Sequence, residues 1–411
     1  MLSSLLVLTV LGDVSQRYTA FRPAKLWKDT HGEPIDAHGA AILHFRHQFY
    51  WYGEQRKGHS DERLLDIPDQ CGNSTILKLR RGYTAHAKLA TLPHAKSPGK
   101  RRVSTMALQP AVFDGQKEHV VRAADGITDG VKLYKSDGDL YNWKESGIVF
   151  NAEDATGNRC LERPRVIQCP ATGKFVMWAK GFDPDGDSPA CGRCSHGPAE
   201  PLSVSAVVSV SDLPEGPFSL ADPSQPFYSP GGHTYADATL YVDEPSQSAY
   251  VYFRSRQEGM YVGKLSPDCL SVEGEPALII HDPNHEAPAV FSWGGSVYLW
   301  TSLTKGFEAT QAELLVNRDG SFSGPFESIG NPTGSNSTFG SQGTYVLPNP
   351  AWSAEAANAT TPQFILVADR WQPDSEQFGK YVWLPLWVRR NGTVFVKAPK
   401  EWTYQAPLES A

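Results

Sequence analysis

Five times along this chain a polar residue opens a short apolar run, a turn follows, and an aromatic-rich run of strand character closes the unit. The first copy is His38-Gly39-Ala40-Ala41-Ile42-Leu43 with Phe49-Tyr50-Trp51-Tyr52, and the second is Glu162-Arg163-Pro164-Arg165-Val166-Ile167 with Phe175-Val176-Met177-Trp178. Asp237-Ala238-Thr239-Leu240-Tyr241-Val242 with Tyr250-Val251-Tyr252-Phe253 is the third, and Glu286-Ala287-Pro288-Ala289-Val290-Phe291 with Val297-Tyr298-Leu299-Trp300 the fourth. The fifth is Gln342-Gly343-Thr344-Tyr345-Val346-Leu347 with Phe364-Ile365-Leu366-Val367. From opener to closing run the offsets are 11, 13, 13, 11 and 22 residues, so four of the five share one hairpin length. Between copies there is room for two more strands, as in 204–210 and 260–265, which makes each unit a four-stranded sheet. Such a unit cannot bury its apolar face alone and must stack on its neighbours. For antiparallel sheets, radial stacking also protects the edges. The expected fold is all-β, a five-bladed β-propeller.

Composition fits that reading. The 36 Gly and 31 Pro serve the many turns, while 11 Trp, 16 Tyr and 18 Phe against 4 Met supply a strand-borne core. A length of 411 residues alone would admit two or three domains; the repeat reduces the count to one. By the spacing of its regular copies the propeller needs roughly 300 to 320 residues. The expected organisation is therefore a propeller over 19–405 with insertions at about 58–125 and 181–203. Within the first insertion, the basic stretch from Lys78 to Arg102 reads as a solvated loop. The net charge of −7 offers no basic field for phosphate backbones, which argues against a nucleic-acid partner. No run of 18 apolar residues is present to span a membrane as a helix. A monomer acting on a neutral partner is expected.

Several features point outside the cell. Leu5 to Leu11 is apolar except for Thr9, like the core of a signal peptide over 1–18, although it lacks a basic flank and a small-residue cleavage site. Four glycosylation sequons occur, at Asn73, Asn336, Asn358 and Asn391. Six cysteines (Cys71, Cys160, Cys169, Cys191, Cys194, Cys269) admit three disulfides in any of 15 connectivities. Cys191-x-x-Cys194-x-His196 suits zinc in ligand type, but no second Cys pair of matching spacing accompanies it, so no metal or other cofactor is assigned.

In a propeller the innermost strands line the central channel, and their first residues converge at its mouth. His38, Glu162, Asp237, Glu286 and Gln342 hold that equivalent position. Carboxylates clustered there repel and lose solvation, so their pKa values must separate. That is the minimum equipment for cleaving an acetal, since one carboxyl must stay protonated to serve the leaving oxygen while a second group activates water. Glu286, followed by Ala287-Pro288-Ala289-Val290-Phe291, is the candidate acid, with Asp237 tuning it. Trp51, Trp300, Trp371 and Trp383 are candidate faces for sugar stacking, most of them expected in the core.

The segments Ile35-Asp36-Ala37-His38-Gly39, Phe49-Tyr50-Trp51-Tyr52-Gly53-Glu54, Tyr141-Asn142-Trp143, Glu162-Arg163-Pro164-Arg165-Val166-Ile167, Glu286-Ala287-Pro288-Ala289, Ser341-Gln342-Gly343-Thr344, Asp369-Arg370-Trp371 and Tyr381-Val382-Trp383-Leu384-Pro385-Leu386 resemble the galactan 1,3-β-galactosidases of glycoside hydrolase family 43. The resemblance spans roughly 26–403. It implies a five-bladed propeller, secreted and exo-acting on β-1,3-galactan, that releases galactose with inversion. It also implies Glu286 as general acid, Asp237 as its modulator, Glu162 and Glu54 as galactose-binding carboxylates, Thr304 as a sugar contact and Gln342 as base. His38 joins the sugar-binding set by its place in the ring. An amide is a poor base outside its imidic tautomer, and Asp36, just before the first strand, is the rival. Tyr235-Ala236-Asp237 departs from the Ser-Arg-Asp common in the family, which removes an arginine near the pocket. The alternatives are a family 43 α-L-arabinofuranosidase or β-xylosidase, weakened because the first blade lacks the usual Asp, and a non-catalytic sugar-binding propeller.

Overall fold

The computed structural model describes residues 17–56, 62–68, 74–80, 128–152, 161–182, 204–306, 308–354, 361–371 and 379–404. The described residues are almost wholly strand and turn, arranged as five antiparallel sheets around a centre, a five-bladed β-propeller. Blade 1 contains His38–Phe45, Gln48–Arg56, Thr128–Asp137 and Lys144–Asn151, in that order from the axis outward. Blade 2 contains Leu161–Gln168, Phe175–Phe182, Val204–Ser211 and Ser219–Leu220; blade 3 contains Ala238–Asp243, Ser248–Ser255, Gly259–Lys264 and Ala277–Ile280. Blade 4 contains His285–Trp293, Ser296–Leu303, Ala312–Asn317 and Glu327–Gly330. Blade 5 contains Gln342–Pro348, Phe364–Arg370, Leu384–Val388 and Val394–Val396, with Lys380–Tyr381 also pairing on its second strand.

Why these segments become inner or outer strands is legible in their composition. The innermost strands are largely buried, as in 161–168, where Glu162, Arg163 and Arg165 are buried along with the apolar residues. The outermost strand of blade 4, Glu327–Gly330, is short, polar and exposed throughout, the usual protection of a sheet edge. Gly294 and Gly295, both at positive φ (58° and 81°), make the two-residue turn that sets the register of the fourth hairpin.

The core is divided by blade interface. Tyr50, Val131, Leu133, Phe175 and Met177 join blades 1 and 2, and Trp178, Val208, Val251 and Phe253 join blades 2 and 3. Met260, Val290 and Leu299 join blades 3 and 4, and Phe291, Trp300, Leu366 and Leu384 join blades 4 and 5. The last interface, between blades 5 and 1, is the aromatic one: Trp27, Trp51, Trp143, Trp383 and Trp402 pack together there with Phe21. Phe21 pairs with Trp402 through two backbone hydrogen bonds of 2.8 and 3.1 Å, which closes the ring. Cys169 and Cys269 form a disulfide between blades 2 and 3. Cys71, Cys160, Cys191 and Cys194, the motif around His196 and residues 1–16 of the leader expected over 1–18 lie outside the described residues.

Residues 59–123 form a compact unit of their own. Its described part is an antiparallel hairpin of Glu62–Pro68 and Ser74–Arg80, with Leu65 opposite Leu77. Lys78 and Arg80 therefore lie in a strand, whereas the basic stretch was expected to be a loop. The alternation in Leu77-Lys78-Leu79-Arg80 outweighs its charge.

Candidate active site

The five openers stand at the same end of the five inner strands. Across each hairpin the turn fixes which residue lies opposite: Glu54 faces His38, Lys180 faces Glu162, Ser302 faces Glu286 and Asp369 faces Gln342. In blade 3 the backbone of Arg254 brackets Asp237, accepting from the Ala236 N–H and donating to the Asp237 carbonyl, each at 2.9 Å. Immediately past the opener the register shifts in blades 1, 2 and 4, and the residue there is left-handed: Gly39 at φ 58°, Arg163 at 54°, Ala287 at 51°. Such bulges re-aim side chains. Backbone strain at non-glycine positions such as Arg163 and Ala287 concentrates at working sites.

On the side formed by blades 1 and 2, carboxylates are matched to cations. Glu54 is fully buried; its Oε1 accepts from Arg56 at 2.9 Å and its Oε2 from the backbone N–H of Arg163 at 3.2 Å. Glu162 takes Arg56 at 3.3 Å on one oxygen and Lys180 Nζ at 2.5 Å on the other. Burial raises the Glu54 pKa against the pull of Arg56.

Blades 3 to 5 are arranged differently. Glu286 Oε1 accepts from Gln342 Nε2 at 2.7 Å, and Oε2 lies 3.3 Å from the Arg254 guanidinium. Burial first, and then the charge of Asp237, push the Glu286 carboxyl up to about 7. Burial would raise Asp237 as well, but Arg163, Lys180 and Arg254 hold it below its ordinary value. Its Oδ2 accepts from the Ala287 N–H at 3.2 Å and faces Arg163 at 3.4 Å. Gln342 Oε1 accepts from Trp371 Nε1 at 2.9 Å and from Arg163, which turns the amide NH2 toward Glu286. The result is one carboxyl able to hold a proton near neutrality beside another that stays charged.

Glu286, Asp237, Gln342, Glu162 and Glu54 are thus brought into one cluster, with Arg163 at its hub. Thr304 stands at the rim beside Glu286, donating to Asn284 O at 3.0 Å. The His38 side chain is only 1% exposed and stacks on Tyr381 at 5.3 Å, with Nε2 at 3.5 Å from Asp36. Asp36 is raised to about 7 by burial, and its Oδ1 accepts from the Arg56 N–H at 3.0 Å. Its charged neighbours are Lys132, Arg56 and Glu54 rather than Glu286. Trp51, Trp300 and Trp383 are core residues with no exposed surface. Trp371 is half-buried, with the guanidinium carbons of Arg163 and Arg56 at 5.3 and 5.7 Å from its ring. Among the described residues no cluster of His, Cys, Asp and Glu is arranged to hold a metal ion.

Sequence reasoning did not find Arg56, Arg163, Lys180, Arg254 or Asp369 as members of the site. Asp369 is buried, accepts from the Gly39 N–H at 2.7 Å and is raised by burial to about 7. The signal for most of them was register, since counting back from each turn identifies the residue opposite each opener. Ala236 carries no guanidinium, and the one that reaches Glu286 is that of Arg254, one strand outward.

Residues 114–349 match the model of glycosyl hydrolases family 43. No curated protein matches the sequence. Solved structures similar to this chain include a family 43 β-1,3-galactosidase at 24% identity and TM-score 0.64, covering 94% of this chain; the chain spans 64% of that protein's length. A second family 43 β-1,3-galactosidase, determined with galactodeoxynojirimycin, is similar at 25% identity and TM-score 0.64, covering 93% of this chain and 99% of the other. An exo-β-1,3-galactanase from Phanerochaete chrysosporium, determined with β-1,3-galactotriose, is similar at 18% identity and TM-score 0.65, covering 94% and 68%.

Proposed function

The chain belongs to glycosyl hydrolases family 43 and is a glycosidase, and from that premise we propose that it is a secreted exo-acting enzyme that releases galactose from β-1,3-galactan with inversion. The observation that carries the mechanism is the separation of two adjacent carboxyls, Glu286 raised to about 7 and Asp237 lowered. Glu286 gives its proton to the glycosidic oxygen as the bond from C1 to that oxygen breaks. Asp237 keeps its charge, which holds the proton on Glu286 until the leaving oxygen takes it. Water attacks C1 from the face opposite the departing sugar.

Gln342 and Glu286 touch at 2.7 Å, which leaves no room for a reacting bond between them. The sugar must part them on entry, and Gln342 is then free to hold the attacking water. Its Oε1 takes hydrogen bonds from Arg163 and Trp371. In the imidic tautomer the amide proton moves from nitrogen to Oε1, and the nitrogen lone pair it leaves behind accepts the water's proton. Glu162, fixed by Arg56 and Lys180 beside the buried Glu54, presents acceptors for sugar hydroxyls, and Trp371 offers a ring face.

Secretion is supported by the Cys169–Cys269 disulfide and by the exposure of Asn336 and Asn391, the two sequon asparagines among the described residues. Incubation with β-1,3-galactan tests the reading. Free galactose as the first product, α-configured by NMR before mutarotation, is expected. Binding without release would instead identify a sugar-binding propeller, and release from arabinan or xylan alone would identify a different glycosidase.

A further inference from the structure

Two residues beyond the partner of each opener, the second strand leaves its sheet at the site end of the blade. In blades 1, 4 and 5 that position holds Arg56, Thr304 and Trp371, and each reaches the pocket: Arg56 binds Glu54, Thr304 adjoins Glu286 and Trp371 binds Gln342. In blade 3 it holds Arg256, two residues past Arg254. The Arg256 backbone N–H donates to Thr234 Oγ1 at 3.2 Å. Its half-buried guanidinium has no hydrogen-bond or ion-pair partner among the described residues. Glu162, Asp237 and Glu286 act on it electrostatically, as does Arg254 with the opposite sign, which puts it within the field of the cluster. Five cations, Arg56, Arg163, Lys180, Arg254 and Arg256, surround the carboxyls of Glu54, Glu162, Asp237, Glu286 and Asp369. Burial raises Glu286 and Asp369 to about 7, which reduces the negative charge set against these cations near neutrality.

We propose that Arg256 is the anion-recognising arm of the leaving-group subsite, taking the carboxylate of a hexuronic acid in the departing sugar. The inference rests on Glu286 being the proton donor. The group that protonates the glycosidic oxygen abuts the sugar that leaves, so a cation two residues past Glu286's own ion-pair partner faces that sugar. A guanidinium presents paired N–H donors that match a carboxylate, and Arg254 beside it strengthens the preference for negative charge. A neutral sugar offers only hydroxyls, for which water competes.

The test compares two disaccharides, galactose β-1,3-linked to galactose and to galacturonic acid, by kcat/KM at low salt. The wild-type protein should favour the acidic one by about tenfold, the scale of one charge-assisted hydrogen bond at a half-exposed site. Arg256→Gln should lower that ratio by about the same factor, and Arg256→Lys should fall between because it keeps the charge and loses the fork. A wild-type ratio at or below one, or a ratio unmoved by Arg256→Gln, overturns the proposal. Calorimetry of both disaccharides on Glu286→Gln reads the same preference without turnover, and equal affinities there also overturn it. Cleavage of neither disaccharide, together with an Arg256-dependent calorimetric preference, would retain the anion arm and remove the galactanase reading.

Discussion

The two halves of the pocket bury acidic side chains to a similar depth and use them in opposite ways. Toward blades 1 and 2, Glu162 is held between Lys180 at 2.5 Å and Arg56 at 3.3 Å. Toward blades 3 to 5, Glu286 has a single guanidinium at 3.3 Å and an amide at 2.7 Å, with the charge of Asp237 against it. A carboxylate clamped by cations is an anchor, because ion pairing this close fixes both its charge and its position. A carboxyl with a single paired cation and a nearby anion can release and regain a proton near neutral pH. On the proposed reading, the difference between binding a sugar and cleaving it lies in how many cations stand against each carboxylate.

The largest effect should come from removing the mobile proton. Glu286→Gln is expected to lower turnover on β-1,3-galactan by about 10³-fold, the scale of general-acid catalysis, while the thermal unfolding midpoint stays near that of the wild type. Near-normal turnover would make the two halves equivalent. Removing a clamp should instead cost stability: Lys180→Met strips Glu162 of its closest cation, and breaking a buried pair costs about 3 kcal/mol. Urea denaturation measures it, and a loss below 1 kcal/mol would mean that Arg56 alone suffices.

Trp371→Phe keeps an aromatic ring but removes the N–H that donates to Gln342 Oε1. A drop in kcat of about fivefold, the worth of one buried hydrogen bond, is expected. The subtlest change should be in pH dependence. Glu286 works in its protonated form and has a pKa of about 7, so kcat/KM should fall as pH rises through neutrality. Arg254 lowers that pKa, so Arg254→Gln should carry the alkaline limb to higher pH. A limb that moves downward would show that Arg254 does not act on the acid.

How much of this was legible in the sequence follows the same division. The openers repeat with the hairpin, so Glu162, Asp237, Glu286 and Gln342 could be read from periodicity as one ring. His38 belongs to that ring in position, yet its side chain stacks on Tyr381, because periodicity locates a backbone and does not say which way a side chain turns. The cations were missed for a different reason. Lys180 and Arg254 lie on second strands whose residues otherwise read as ordinary strand, and only the cross-strand register connects them to the carboxylates. Arg163 was quoted as part of a motif, but its central role depends on the left-handed bulge at that residue, which no propensity of arginine would suggest. Ala236 pointed to a pocket short of an arginine, whereas Arg254 on the neighbouring strand brings a guanidinium to Glu286.

Arg165 lies two residues further down the second inner strand, fully buried among the inner strands. Its guanidinium donates to the carbonyls of Gly39 in blade 1 and Thr344 in blade 5, and burial pulls its pKa down to about 10. Those acceptors come from the first and last blades, and Thr344 is synthesised 179 residues after Arg165. Until the fifth blade emerges from the ribosome, this cation lacks the Thr344 carbonyl, and a partial ring that buried it would leave its Nη2 donor unsatisfied. Burial of Arg165 is therefore best satisfied once the first and last blades stand on either side of it.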